Sequence, residues 1–249
     1  FAQVSSENEA GSVNARLRNV DGNSFEIRLQ EPNADDGVHV TEDVSFFVVE
    51  AGKHQLSDGT ILSVGSVETN QLTSAGFVNV DIGDGYSSTP AIFGQVQTFE
   101  GGDFVGTRIE NASSSGFGIA LEEEEALNGG GHKAETIGWM AVEKGSGSVE
   151  DDLFETVTVS STHSGASASF TEDFGSAPVL LGNLSSFNGS DTGVVRVTSL
   201  DEDDVSVKVQ EETSLDGETF HKAETVDLLA LEGDGTLQGS SDIVIGETG

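Results

Sequence analysis

Three histidines each precede a glutamate by three residues: His39 and Glu42, His132 and Glu135, His221 and Glu224. An imidazole beside a carboxylate can share a proton, bind a metal or fasten a loop. Each pair closes a carboxylate-rich loop. The first loop offers Glu31, Asp35, Asp36 and Glu42; the second offers Glu123, Glu124, Glu125, Asn128 and Glu135; the third offers Glu211, Glu212, Asp216 and Glu224. Clustered hard oxygens suit calcium, which takes roughly six to eight oxygen ligands in flexible geometry. Calcium is therefore the candidate cofactor. Zinc would need a third ligand, usually His or Cys, and the chain has no cysteine. EF-hand spacing and the Gly-rich calcium nonapeptide are both absent. Two plainer readings stand beside the metal: a solvated acidic loop, and a hydrogen-bonded His–Glu latch at a strand entrance.

The loops belong to a longer repetition. LQEPNADDGVHVTEDVSFFVVEAG (29–52), LEEEEALNGGGHKAETIGWMAVEKG (121–145) and VQEETSLDGETFHKAETVDLLALEG (209–233) align, and their glutamates lie 93 and 89 residues apart. A period near 90 residues is the size of a domain, far longer than the units of short-period solenoids. The expected division is an incomplete first repeat (1–57), a second (58–145), a third (146–233) and a surplus terminal strand (234–249).

Composition sets the surroundings. Forty-four acidic residues stand against 10 basic ones, a formal charge of −34. Such a surface repels nucleic acid and anionic lipid, which are bound through Lys and Arg. It suits a salty or divalent-rich medium, where cations screen self-repulsion. An apolar fraction of 35% with 14 Phe still builds cores, which separates the chain from disordered acidic tails. Disulfides and zinc–thiolate chemistry are excluded without cysteine. No apolar run approaches a membrane span. These features point to an extracellular or cell-surface setting.

The elements that must carry the loops are strands. FEIRLQ (25–30), FVNVDI (77–82), ASASFTEDF (166–174), VVRVTSL (194–200) and VSVKVQ (205–210) alternate apolar with polar residues, as strands with one buried face do. Pro90 and Pro178 fit at strand openings, where no ladder donor is lost. About six strands per unit predict an all-β chain of small antiparallel sandwiches. Phe25, Phe117 and Val205 should occupy equivalent buried positions. Alternation also points Trp139 into a core.

The ends fall out of phase with the repeat. FAQV at Phe1 aligns with FGQV at Phe93 and LGNL at Leu181, while GTLQGSSDIVIGETG (235–249) resembles GTILSVGSVETNQL (59–72). Two explanations are open. The chain is a fragment of a longer array, or the tail segment 237–245 supplies the opening strand of another chain's first unit.

Units two and three, and the latter part of unit one, resemble the H-type lectin domain of snail agglutinins and discoidin-like proteins. TPAIFGQV, an arginine nine residues before an apolar strand position (Arg108 to Phe117) and then IGWMAVE carry the resemblance; Arg16 to Phe25 and Arg196 to Val205 keep the spacing. It implies a six-stranded antiparallel sandwich, commonly trimeric, that binds galactose-type sugars. Arg16, Arg108 and Arg196 match the family arginine that contacts sugar. Where the family places an aromatic followed by His, this chain has Pro32-Asn33, Glu124-Glu125 and Glu212-Thr213. No GxSxG, HExxH or Walker loop occurs. The expected function is thus a non-enzymatic, adhesive or structural extracellular repeat protein. Glycans, calcium, adjacent repeats and other copies of itself are its candidate partners. The alternative is a subunit of a filament joined by strand donation.

Overall fold

The computed structural model describes residues 1–33, 35, 37–149, 152–233, 235–236 and 243–248. Among them the only helical element is a single 3-10 turn, Thr73–Ala75, and the chain is otherwise strands and loops. No helix is long and apolar enough to cross a membrane. Strands form where alternation put them. Ala91–Val96 and Val179–Leu184 start directly after Pro90 and Pro178, so each proline precedes the ladder without costing it a donor.

Three four-stranded antiparallel sheets share one order. In the second segment it runs Ala91–Val96, Glu135–Val142, Ile61–Thr69, Gly52–Gln55; in the third, Val179–Leu184, Glu224–Leu231, Asp152–Ser161, Ser146–Val149. A three-stranded sheet shares a core with each. It comprises Val78–Asp81, Gly116–Glu123 and Val105–Glu110 in the second segment, and Ala166–Ser169, Asp204–Glu211 and Gly193–Leu200 in the third. Seven strands therefore surround each of these two cores, not the six expected, because a short hairpin strand precedes each long one. Gly52–Gln55, counted with the first repeat by the 1–57 boundary, pairs with Ile61–Thr69 and so joins the second segment's sheet.

The first segment is built differently. Its sheet runs Ala2–Val4, Val44–Val49, Ile243–Thr248, Gly235–Thr236. The tail strand therefore fills the first segment's sheet within its own chain, pairing Ile243 with Val49 through to Thr248 with Val44. The tail segment was expected to pair with the first unit of another chain; here it takes that place in its own chain. Leu237 to Asp242 of the expected donor segment lie outside the described residues. The facing sheet has two strands, Asn14–Arg18 and Glu26–Gln30.

Phe117 and Val205 are buried as expected. Phe25 is only half-buried. Phe117 and Val205 lie under strands that pair with theirs, opposite Val80 and Ala168, and no described strand takes that place beside Glu26–Gln30. Phe25 instead packs edge-on against Phe46 at 5.4 Å, as Phe117 packs against Trp139 at 5.8 Å. Trp139 is itself half-buried against the second core rather than enclosed in it.

A separate apolar cluster joins the segments. Phe47 of the first, Phe93 and Met140 of the second, and Leu181 and Leu229 of the third pack together, with Phe1 against them. Nearby, Gln3, Gln95 and Asn183 border a cavity of about 60 Å³ reached by all three segments. Gln95 accepts from the Ala2 N–H at 3.2 Å, Asn183 accepts from the Gly94 N–H at 3.4 Å, and Gln3 donates to the Val195 carbonyl at 3.1 Å. Each amide thus ties its segment to a different one.

Phe117→Ala should destabilise the chain by about 3–5 kcal/mol, the cost of emptying a buried aromatic site. Phe25→Ala should cost clearly less, because solvent already reaches that ring. Urea unfolding of the two variants checks the ranking.

Candidate functional site at the seams between segments

The three arginines sit at one register. Arg16, Arg108 and Arg196 lie within Asn14–Arg18, Val105–Glu110 and Gly193–Leu200, opposite Arg28, Ala120 and Lys208 of the adjoining strands. From there each guanidinium leaves its own segment. Arg16 Nη2 donates to Glu135 at 2.8 Å, Arg108 Nη2 to Glu224 at 2.7 Å and Arg196 Nη2 to Glu42 at 2.6 Å. First binds second, second binds third, third binds first. The cycle closes within one chain.

Each receiving glutamate stands just before or at the start of a central strand, enclosed by a bend of its own segment. Glu42 accepts from the Ser6 hydroxyl at 2.6 Å and the Asn8 N–H at 2.9 Å. Glu135 accepts from the Thr98 hydroxyl and from the N–H groups of Glu100 at 3.0 Å and Gly101 at 2.8 Å. Glu224 accepts from the Ser186 hydroxyl and from the N–H groups of Asn188 at 2.9 Å and Gly189 at 2.8 Å. Arg16, Arg108 and Arg196 have side-chain exposures of 1%, 0% and 0%, and their glutamate partners 0% throughout. A buried ion pair is sustained by further hydrogen bonds to its remaining polar atoms; these bends supply them to the glutamate oxygens, while Arg108 Nε and Arg196 Nε and Nη1 make none.

The histidines complete the arrangement. His39 bridges Glu31 at 2.9 Å and Glu42 at 3.1 Å; His132 bridges Glu123 and, at 3.1 Å, Glu135. A carboxylate, an imidazole, a second carboxylate and a guanidinium from the neighbouring segment thus stand in line. In the third segment the line is slack: His221 lies 3.3 Å from Glu211 and 3.7 Å from Glu224, and neither ring nitrogen makes a hydrogen bond. The electrostatics follow this contrast. Burial opposes the charged form of His132, but hydrogen bonds to Glu135 and Glu123 prevail and raise its pKa. Burial and the nearby Arg108 lower that of His221. Glu42 and Glu135 are held down to about 2: burial works against their charge, and the hydroxyl, amide, imidazole and, at Glu42, Arg196 donors outweigh it.

The expected site residues are thereby distributed. The three arginines are enclosed in ion pairs rather than offered to solvent. Glu31, Glu123 and Glu211 face the histidines, whereas Glu42, Glu135 and Glu224 face the arginines. Glu124 accepts from the Asn33 N–H across the first seam, and Glu212 from the Glu125 N–H across the second. Asn128 stands apart, donating to Thr73 at 3.0 Å, and Asp216 caps the Glu218 N–H at 2.9 Å. Asp35 donates its N–H to the Pro32 carbonyl at 3.0 Å, and Asp36 lies outside the described residues.

Among the described residues, none of the three loops gathers its own carboxylates as a set. The groupings with ligand atoms within 4.8 Å of one another are Glu9–Glu31–His39, Asp103–Glu123–His132 and Glu125–Asp191–Glu211. Glu9, Asp103 and Asp191 come from other loops, and Asp191 belongs to a different segment from Glu125. A signal was present: Asp103 and Asp191 each precede their seam arginine by five residues. Chemically, the ion pairs at the seams hold the segments together.

No family model matches the chain, and no solved structure matches it. It is 31% identical over 243 residues to a protein named Halomucin from Haloquadratum walsbyi (strain DSM 16790 / HBSQ001). The match covers 95% of this chain and 2% of Halomucin, so the chain spans only a small part of that relative's length.

Arg196→Ala should cost about 3–5 kcal/mol by leaving Glu42 buried without its cation, measured by urea unfolding. The pH dependence has a defined sign. Glu42 and Glu135 have folded pKa values below the ordinary carboxylate value, so their stabilisation is complete above about 4.5 and disappears as pH falls through about 2. The His132 contribution runs oppositely: it is present below about 6.5 and fades as pH rises through the raised folded value. Glu135→Gln should flatten both limbs in a pH series at constant ionic strength.

Proposed function

We propose that this chain is a non-enzymatic extracellular structural module: three copies of one H-type-lectin-like sandwich, closed head to tail within a single polypeptide. The observation that carries this reading is the cyclic seam, in which Arg16, Arg108 and Arg196 each bind the glutamate of the next segment. A ring of three like contacts is how a trimer closes, and the resemblance to a commonly trimeric family points the same way. Likeness to Halomucin, whose name couples salt with mucin, supports a place at or outside the cell surface in a salty medium. So does the charge of −34. Sugars remain the ligand class that the resemblance implies. With the arginines enclosed, a glycan would have to bind elsewhere than at the family's position.

A second reading is favoured by one observation. The strand that fills the first sheet, Ile243–Thr248, arrives from the far end of the sequence, and such a strand can be exchanged between copies to build a filament. Light scattering over a concentration series separates the two. A closed module stays monomeric; an exchanging one grows, and deletion of residues 236–249 abolishes the growth.

Antibody against this chain should label intact cells of the organism that makes it. Labelling confined to permeabilised cells would contradict an extracellular role. For the isolated chain, added salt should raise the melting temperature by screening surface repulsion.

A further inference from the structure

One seam has a composition that the others lack. Across the first seam, Asn33 faces Asp103 and donates its side-chain amide at 3.0 Å, while Glu123 is held by His132. Those carboxylates have donors. Across the second seam the matching positions are Glu125, Asp191 and Glu211. The amide has become a third carboxylate, and the histidine that should hold Glu211 makes no hydrogen bond.

The result is a set of three carboxylates from two segments, with one oxygen of each within 4.8 Å of the others. Glu211 is buried, only 4% exposed, and its Oε2 makes no hydrogen bond, with His221 Nδ1 3.3 Å away. Glu125 likewise carries a buried oxygen, Oε1, without a partner. Bringing three carboxylates together where one is buried and two are half-buried is costly unless a counter-charge joins them. The adjacent base, His221, has a lowered pKa and does not readily supply it. Two ligands of one calcium ion can lie no more than about 4.6–5.2 Å apart, since each is about 2.3–2.6 Å from the metal, and the three oxygens fall within that limit.

We infer that Glu125, Asp191 and Glu211 form a calcium site that joins the second and third segments, with water completing the coordination. The all-oxygen donor set selects a hard divalent cation. The site needs nothing from the function proposed above; it requires only that the two segments meet at this seam. The protonation behaviour agrees. Burial, then repulsion from Glu212, Asp191 and Asp216, pushes Glu125 up to about 7, and burial, then Glu218, Glu125 and Asp191, raises Glu211. Such groups release protons when a cation binds.

The test is calorimetric titration of the chelator-stripped full chain with calcium chloride at neutral pH and constant ionic strength, repeated with magnesium chloride. One saturable calcium site is expected, tighter than for magnesium. Glu125→Asn, which copies the first seam, should weaken calcium at least roughly tenfold by removing one charged ligand. It should also remain folded by circular dichroism, since it relieves repulsion. Asp191→Asn serves as the second variant should Glu125→Asn misfold, with the same loss expected. Asp103→Asn, at the first seam, should bind calcium as the parent does. Absence of saturable binding in the parent would overturn the site. So would unchanged affinity in a folded Glu125→Asn or Asp191→Asn chain, or loss of binding on Asp103→Asn.

Discussion

A guanidinium buried against a carboxylate of the neighbouring segment is the contact on which the arrangement depends. Either charge alone in that position would be strongly unfavourable. Together, and surrounded by hydroxyl, amide and imidazole donors, they are tolerated and oriented. Because Arg16 serves Glu135, Arg108 serves Glu224 and Arg196 serves Glu42, no segment holds both halves of a seam pair, although Arg108 also meets Glu122 of its own segment at 3.2 Å. The seam pairs form only when the neighbouring segments are in place. The apolar cluster of Phe47, Phe93, Met140, Leu181 and Leu229 follows the same logic, since it draws on all three segments.

The three seams have diverged around this common contact. In the first, Arg16 and Arg28 both lie against the Phe99 ring, at 5.0 and 4.4 Å. In the second, Arg108 lies over Phe187 at 5.1 Å. In the third, the aromatic position is Glu7, which pairs with Lys208 at 2.5 Å. The contact inside is constant while the periphery varies, as expected where the buried charge pair sets register. Three of the 10 basic residues are consumed in these pairs. Each takes a glutamate with it, so the pairs leave the net charge of −34 unchanged, and the repulsion of the acidic surface is relieved by ions in the medium.

Strand positions were legible because alternation and proline placement are local signals: the strands at Ala91 and Val179 start where Pro90 and Pro178 indicated. The latches His39–Glu42 and His132–Glu135 were legible for the same reason, since both members sit on one loop, whereas His221 and Glu224, at the same spacing, stand 3.7 Å apart without a hydrogen bond. Their arginine partners were not, because Arg16 and Glu135 meet across 119 residues and nothing local to either reveals the other. The arginines drew notice only through a resemblance that implied sugar contact, whereas the structure encloses them. Phe25 looked equivalent to Phe117 by spacing, but burial also requires a covering strand. The carboxylate grouping of Glu125 with Asp191 and Glu211 was half-visible: two members were among the candidate ligands, and the third lies on a different loop.

The central claim is that the seam pairs make the three segments one cooperative structure. Hydrogen exchange read by mass spectrometry on Arg16→Ala tests it most directly, because opening free energies are resolved strand by strand. The account predicts that removing the first seam's arginine lowers protection in all three segments, including Glu224–Leu231 in the third, which Arg16 does not touch. Loss of protection confined to the first and second segments, with the third unchanged, would contradict it.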